Sequence, residues 1–159
     1  MSFEAKSFRN ALGKFATGVC VVTINPDGSA PLGMTINSFA SVSLDPALVL
    51  WSLQKNSDCY DQYITCNDFA INVLSLEQTA LSNQYAKKGE HELIENSYRK
   101  GSSNAVFLKE SKTVFECVTE QHIEGGDHII ILGRVVNLFN HPAEAKPLIF
   151  FNGKYRELK

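Results

Sequence analysis

The sequence has no excess of positive charge. It carries 15 lysine and arginine residues against 17 aspartate and glutamate residues, which gives a formal net charge of −2 at pH 7. Proteins that bind DNA or RNA without sequence preference need a basic surface that displaces counterions from the phosphates. No nucleic-acid partner is therefore expected.

Long apolar runs are also missing. No segment approaches the roughly 20 apolar residues that cross a bilayer as a helix, and the first ten residues, MSFEAKSFRN, lack the basic and apolar regions of a signal peptide. The four cysteines, Cys20, Cys59, Cys66 and Cys117, form no C-x-x-C pair, which is typical of reduced thiols. We therefore expect a soluble cytoplasmic protein that does not contact membranes.

Several familiar functional motifs are absent. No G-x-G-x-x-G follows a predicted strand, GKFATG is not followed by Lys-Ser/Thr, and neither H-E-x-x-H nor a nucleophile elbow occurs. These absences argue against a Rossmann domain, a P-loop and the common hydrolase sites. The spacing of Cys117, His122 and His128 matches no common zinc pattern, so no metal site is expected.

The hydrophobic periodicity predicts a mainly β protein with flanking helices. Three helices are expected: one with Phe8, Leu12 and Phe15 on its apolar face, ending near Gly18; one over NSDCYDQYITCN; and one opened by a Ser75–Gln78 capping box. Strands are expected at VCVVTI, LGMTINSFASVS, LVLWSL, FAINVL, AVFL, TVFECVTEQHI, HIIILGRVVNLF, LIFF and YREL. Short strands with turn signals favour one domain, residues 1–159, built as an antiparallel barrel with helices outside it.

One predicted strand, LGMTINSFASVS, has an unusual polar side. Solvated strand faces usually carry Lys, Glu and Arg, whereas this side offers only short hydroxyls, an amide and one ring, from Thr35, Asn37, Phe39, Ser41 and Ser43. The stretch is therefore either a wet surface or a wall that hydrogen-bonds a flat polar ligand.

Two further segments carry side chains that could bind a ligand. WSLQKNSD runs from a predicted buried strand to the expected start of the second helix, and it places hydroxyls, an amide and Lys55 where a phosphate could bind. A plain N-cap by Asn56 or Ser57 beside a solvated lysine explains the same pattern.

His128 begins a strand after the Gly-Gly-Asp turn. Its ring is expected either to hydrogen-bond a ligand or merely to satisfy a backbone group. The polar stretch from about Lys87 to Ser103 is expected to be a long loop of unassigned role.

Taken together, these segments resemble the flavin reductase family with the FMN-binding split-barrel fold. The matching motifs are T-x-N-S-F-x-S-V-S, then L-x-P-x-L-V-L, then G-D-H and finally PLIFFNGKY, in this order from about Phe8 to Tyr155. The family includes the small NAD(P)H:flavin oxidoreductase components of two-component aromatic monooxygenases.

The resemblance implies a homodimeric, antiparallel, Greek-key-like split β-barrel with the flavin near the dimer interface. It implies binding of FMN, with FAD possible, and hydride transfer to it from NADH or NADPH, with the reduced flavin supplied to a partner monooxygenase or other acceptor. Such proteins hold the nicotinamide against the flavin without a Rossmann domain, which explains the missing motif.

The resemblance also assigns residues. It implies that the flavin ring is lined by Thr35, Asn37, Ser38, Ala40 and Ser41. It implies that the ribityl-phosphate end is held by Ser52, Leu53, Lys55 and Ser57. The catalytic assignment falls on His128, where the nicotinamide would approach the flavin.

Three other functions fit parts of this pattern. A non-catalytic flavin- or haem-binding protein could use the same barrel. A pyridoxamine-phosphate-oxidase-like enzyme would need an arginine cluster, and the chain has only Arg9, Arg99, Arg134 and Arg156. A dimeric interaction module would bind no ligand. The sequence leaves open the choices of NADH or NADPH, of FMN or FAD, and of flavin as prosthetic group or substrate.

Overall fold

The computed structural model describes residues 2–158, and these residues are mainly strands. The α-helices are α1 (Ala5–Leu12), α2 (Tyr60–Thr65) and α3 (Thr79–Tyr85), and a short 3-10 helix, Leu76–Gln78, leads into α3. Among residues 2–158, none of the helices is both long and apolar enough to cross a membrane. The strands are β1 (Thr17–Gly18), β2 (Cys20–Ile24), β3 (Leu32–Ile36), β4 (Ala40–Leu44), β5 (Ala47–Gln54), β6 (Asp68–Val73), β7 (Tyr98–Lys100), β8 (Val106–Leu108), β9 (Thr113–Gly125), β10 (His128–Asn140), β11 (Ile149–Phe151) and β12 (Lys154–Arg156).

The main sheet has seven strands in the order β3-β2-β6-β9-β10-β5-β4, and every neighbouring pair is antiparallel. Two small sheets, β1-β11-β12 and β7-β8, lie beside it. The predicted mainly β, antiparallel architecture is confirmed.

The two edge strands of this sheet, β3 and β4, are consecutive in the chain. They are joined by only three residues, Asn37–Phe39, so Ile36 and Ala40 can lie at most about 14 Å apart. The sheet must therefore curl until its two edges face each other. Within residues 2–158 no strand ladder joins β3 to β4, so the curled sheet is not a closed barrel.

The same link corrects one prediction. LGMTINSFASVS is not a single alternating strand, because the chain leaves one edge of the sheet after Ile36 and enters the other at Ala40. Asn37, Ser38 and Phe39 form the crossing between them, and the Phe39 ring stacks on Phe115 of the sheet.

Apolar clusters cover both faces of the curled sheet, because Val22 of β2 belongs to one cluster and its neighbour Val21 to another. Every residue of β2 is buried, and Trp51 of β5 packs edge-on against Tyr63 and Phe69, with ring centroids 5.7 and 6.1 Å away. The Tyr63 hydroxyl donates to the Val22 carbonyl at 2.8 Å, which fastens α2 to the sheet. We predicted LVLWSL to be buried on both sides, and this is wrong: exposure alternates along β5, which lies next to the edge strand β4.

The helix start and the turn that are defined by local motifs agree with the sequence prediction. The Ser75–Gln78 capping box is present, and the turn at Asn152 and Gly153 joins β11 to β12 with positive φ at both residues. By contrast, α1 ends at Leu12 rather than near Gly18, because the chain soon turns into β1. The predicted N-cap of α2 is also wrong: Cys59 occupies that position, without a side-chain cap.

The excursion, residues 87–103, is fixed at both ends. At its beginning, the Gly33 N–H donates to the His91 carbonyl at 2.7 Å, and the Leu93 N–H donates to the Pro31 carbonyl at 2.8 Å, so this segment covers the β3 edge. At its far end, the buried Glu116 carboxylate accepts bonds from the N–H and the hydroxyl of Ser102, both at 2.8 Å. The long loop is therefore anchored against the main sheet.

Candidate functional site

Two adjoining hollows of about 360 and 190 Å³ share Thr35 and Ala86, and together they are called the groove below. This size is in the range of small-molecule sites. The larger hollow has both polar and apolar surface, and it carries amide, hydroxyl and charged groups from Gln54, Asn56, Ser57, Asp58, Lys88 and His91. The smaller is mostly apolar and is lined by Val19, Ile36, Asn37, Phe150 and Tyr155. The groove thus suits a ligand with one polar end and one flat apolar part.

Three of the predicted flavin residues line this groove: Thr35, Asn37 and Ser57. The Thr35 hydroxyl is already engaged, because it donates to the Ser82 carbonyl at 2.7 Å. Asn37 is exposed and begins the crossing between the sheet edges. Ser57 is half-buried at the polar end.

A second group of predicted residues meets where β5 ends beside β10. His128 is the register partner of Gln54, and the Lys55 N–H donates to the Asp127 carbonyl at 2.9 Å. His128 Nδ1 lies 2.7 Å from Asp127 Oδ1. The hydrogen bond from His128 and its charge lower the pKa of the Asp127 carboxyl. Asp127 is therefore a carboxylate at neutral pH and orients the His128 ring.

The remaining predicted residues lie along β5, on its edge neighbour β4 and on the crossing. The Ser52 N–H donates to Ser38 Oγ at 3.0 Å and so ties the crossing to β5. Ala40 and Ser41 are exposed on the edge strand β4. Leu53 has no exposed surface, so its side chain belongs to the core and only its backbone could contact a ligand. Within a single chain, the structure does not gather all ten predicted residues in one cavity.

The predicted phosphate position is only partly preformed. α2 begins at Tyr60 and has six residues, so its N-terminus does not lie at Ser57 and contributes little field. Lys55 Nζ lies 2.6 Å from Glu124 Oε2, and both side chains are exposed, at 39% and 79%. An exposed ion pair contributes only about 0–1 kcal/mol, so an anionic ligand can draw Lys55 away from Glu124.

Sequence reasoning missed the groove wall that comes from the excursion. His91 Nε2 lies 3.0 Å from Asp58 Oδ1, and the Gly89 N–H donates to Asp58 Oδ2 at 2.6 Å. Desolvation alone would raise the pKa of the Asp58 carboxyl, but the bond from Gly89 and the charge of His91 lower it overall. The only sequence signal was a histidine within a polar stretch, and nothing local indicated that position 91 would meet position 58.

The largest hollow lies elsewhere. Its volume is about 620 Å³, and it contains none of the predicted residues. Its walls include Asp27, Asp61 and Asp68, whose carboxylates would repel a phosphate. Size alone therefore does not identify the site.

Comparisons with known proteins agree with the motifs. The sequence model of the family described as "Flavin reductase like domain" matches residues 12–159. A "Probable flavin reductase" of Rhizobium meliloti is 42% identical over 138 residues, which are 87% of this chain and 44% of that protein. "FMN reductase (NADH) SmoA" of Agrobacterium fabrum is 40% identical over 153 residues, 96% of this chain and 85% of that protein. The chain spans less than half the length of two curated relatives: 44% of the Rhizobium meliloti protein and 48% of the "Flavin-dependent trigonelline monooxygenase, reductase component" of Acinetobacter baylyi.

Solved structures show the same likeness. "Flavin reductase PheA2 in native state" is 34% identical, with a TM-score of 0.89 and 99% of each chain covered. The NADH:FAD oxidoreductase SgcE6 of Streptomyces globisporus is 33% identical, with a TM-score of 0.89 over 98% of this chain and 93% of that chain. The family model covers nearly all of the chain, and relatives about 40% identical cover most of it. The chain therefore belongs to the flavin reductase like domain family.

Proposed function

We propose that this protein is an NAD(P)H-dependent flavin reductase that binds FMN, or FAD, and transfers a hydride to it from the nicotinamide. The observation that carries the proposal is the groove, in which the predicted residues Thr35, Asn37 and Ser57 line a cleft with one polar and one apolar half. The names of relatives support it, since SmoA is an "FMN reductase (NADH)" and a protein of Streptomyces nodosus is an "NADH-dependent FMN reductase". None of these names favours a non-catalytic binder.

The chemistry of the groove fits a flavin. Its polar half offers donors from Asn56, Ser57 and Lys88, which suit a phosphate and its ribityl chain. Its other half offers apolar surface from Ile36 and Phe150, against which a flat ring can pack. Lys55 and Ser52 would join the phosphate end, and Ser38, Ala40 and Ser41 would line the ring.

A bound flavin would supply the acceptor for the nicotinamide hydride, and the protein's residues would bind and orient both rings. Ser38 Oγ already accepts the Ser52 N–H, so its own hydroxyl hydrogen is free to point to an acceptor on the ligand. With the Asn37 amide, it would stabilise negative charge that develops on the ring. His128, held by Asp127, would position the nicotinamide, since hydride transfer requires no proton from it.

We also propose that the curled sheet is the split barrel of the family, that residues 1–159 act as one domain and that two copies form a homodimer. Large apolar side chains on α1, β4 and β10 are exposed: Phe8, Leu12, Val42, Leu44, Val136 and Leu138. β10 continues past its last partner on β5, Leu48, toward the end of the sheet where Leu44 lies. A second copy would cover this surface together with Ala40 and Ser41 of the site.

The acceptor of the reduced flavin is proposed to be a partner monooxygenase. A relative of Acinetobacter baylyi is the reductase component of a trigonelline monooxygenase, and HsaB of Mycobacterium tuberculosis is the reductase subunit of a flavin-dependent monooxygenase. The four free cysteines agree with a reducing cytoplasm.

The first test is the aerobic loss of NADH absorbance, with and without added FMN. We expect turnover that depends on FMN and saturates with it, because the flavin accepts the hydride. NADPH and FAD, tested in parallel, define the preferred pair. Protein that binds FMN yet consumes neither NADH nor NADPH would contradict the catalytic proposal and leave the binding proposal intact.

Replacing His128 by alanine tests its positioning role. We expect the KM for the nicotinamide to rise about 2–12-fold, the effect of one lost hydrogen bond, while the Kd of the flavin stays unchanged. Steady-state kinetics and flavin fluorescence measure the two quantities separately. His122→Ala, which alters an exposed residue on the neighbouring strand β9, is the control. An equal loss of flavin binding in His128→Ala would remove this assignment.

The pair of Lys55 and Glu124 gives a test of the phosphate end. Lys55→Ala is expected to weaken FMN binding by about 1.5–3 kcal/mol, the scale of a lost charge-assisted hydrogen bond. Glu124→Ala removes the competing carboxylate and should bind FMN at least as tightly as the native protein. Riboflavin, which lacks the phosphate, should bind all three proteins alike. If Lys55→Ala leaves the Kd of FMN unchanged, Lys55 is not part of the site.

The dimer is tested at Leu44, which is 97% exposed in the single chain. Leu44→Glu should cost the monomer little, yet it would bury a charge in the interface. We expect the dimer Kd to rise at least about tenfold, measured by sedimentation equilibrium. Ile94→Glu, at a 54% exposed site on the excursion, is the matched control. Native protein that sediments as a single chain would overturn the proposal.

A further inference from the structure

Three potential metal ligands converge beside the groove. Asp58, Cys59 and His91 each offer one ligand atom, and these atoms lie within 4.8 Å of one another. Two of them come from the turn before α2, and the third comes from the excursion. Cys59 and His91 were assigned no role by the sequence. The cluster lies at the polar half of the groove but contains none of the residues proposed to hold the flavin.

Each of these three side chains also contacts a neighbouring group of the protein. Asp58 Oδ2 accepts the Gly89 N–H at 2.6 Å, which leaves Oδ1 to face the cluster. His91 Nδ1 lies 3.0 Å from the Gly33 carbonyl oxygen, and Ser57 Oγ lies 3.5 Å from Cys59 Sγ. Such outer contacts orient the ligands of natural metal sites.

The His91 contacts also determine where its ring nitrogen lone pair points. A carbonyl oxygen only accepts, so Nδ1 must carry the hydrogen, and in the neutral ring Nε2 is then a lone pair. That lone pair faces Asp58 Oδ1 at 3.0 Å. Two acceptors at this distance repel each other unless a cation, either a proton or a metal ion, lies between them.

We propose that Asp58, Cys59 and His91 bind a divalent transition-metal ion, with Zn²⁺ as the representative ion. Oxygen, thiolate and imidazole together suit zinc and its neighbours rather than Mg²⁺ or Ca²⁺, which prefer oxygen ligands. Metal–ligand bonds of about 2.0–2.3 Å place tetrahedral ligand atoms about 3.3–3.8 Å apart. Asp58 Oδ1 and His91 Nε2, which are 3.0 Å apart, would separate slightly around such an ion, and Cys59 Sγ already lies within 4.8 Å of both atoms.

The site would be open on one side. Asp58 and His91 both line the groove, with 27% and 11% of their side chains exposed, whereas Cys59 is buried behind them. The fourth position of the ion would thus face the groove and take water or a ligand bound there. The positive charge of Lys88 on the groove wall repels a cation. The negative charges of the Asp58 carboxylate and the Cys59 thiolate offset this repulsion.

Binding must release a proton. Burial raises the pKa of the Cys59 thiol, so the metal takes the place of its hydrogen and one proton leaves. Metal affinity is therefore expected to rise with pH.

The test uses the full chain, freed of flavin and treated with a chelator. Titration with Zn²⁺ should show one equivalent of tight binding and a rise in Tm, because the ion binds the folded state. Co²⁺ should give the near-ultraviolet charge-transfer band that only a thiolate ligand produces. Cys59→Ser and His91→Gln should each weaken Zn²⁺ binding by roughly 100-fold or more, beyond the usual effect of outer contacts. Cys66→Ser, a half-buried thiol outside the cluster, should bind like the native protein.

Equal Zn²⁺ affinity in the native protein and in either cluster variant would overturn the proposal. So would folded native protein that gives no thiolate–cobalt band, a result that does not depend on whether the variants fold. If Zn²⁺ does not bind, a proton occupies the position and the cluster is an ion pair only. Because the measurements contain neither flavin nor nicotinamide, their outcome is independent of reductase activity.

Discussion

The three-residue crossing between β3 and β4 is the constraint on which the rest of the structure depends. Because Asn37–Phe39 must connect the two edges of a seven-stranded sheet, the sheet has to curl, and apolar clusters pack on both of its faces. Two of its three residues are polar, and Ser38 uses its oxygen to accept the Ser52 N–H, while Phe39 packs on Phe115. One short segment thus connects the fold to the residues proposed to face the flavin. This dual role explains why its composition looked out of place for an ordinary strand.

The site is assembled from parts that differ in how firmly they are held. The β-strands give fixed backbone positions to Thr35, Ser52 and His128, through ladders that the core stabilises. Lys55 and Glu124, by contrast, lie on the surface and can separate at little cost. The groove wall formed by His91 and Asp58 is intermediate, because hydrogen bonds to backbone groups hold both side chains. A rigid frame with adjustable polar ends suits the proposed flavin reductase, which would bind two ring systems at one site.

Features set by nearby residues could be predicted from the sequence. The capping box at Ser75 and Gln78 and the Asn152–Gly153 turn depend on contacts within a few residues, and both are present. The family motifs also identified the family itself, as the comparisons confirm. Features set by distant residues could not be predicted. Which strands and loops become neighbours determines the break after Ile36, the burial of the Leu53 side chain and the contact of His91 with Asp58. Alternation along one strand carries no such information.

The two anchors of the excursion have a consequence for sequence variation in such proteins. His91 and Leu93 are bonded to the β3 edge, and Ser102 is bonded to the buried Glu116 carboxylate. Between these anchors, residues 94–100 include the 54% exposed Ile94 and the short strand β7, which pairs only with β8. Insertions beside Ile94 would leave the ladders of the main sheet intact, since loop length costs little once its ends are fixed. Arg99 of β7, by contrast, stacks on Phe107 and Phe139 and so holds β7 against the sheet. Relatives could therefore differ in the length of this stretch while keeping the same sheet. Such differences could change the ligand preference without changing the fold.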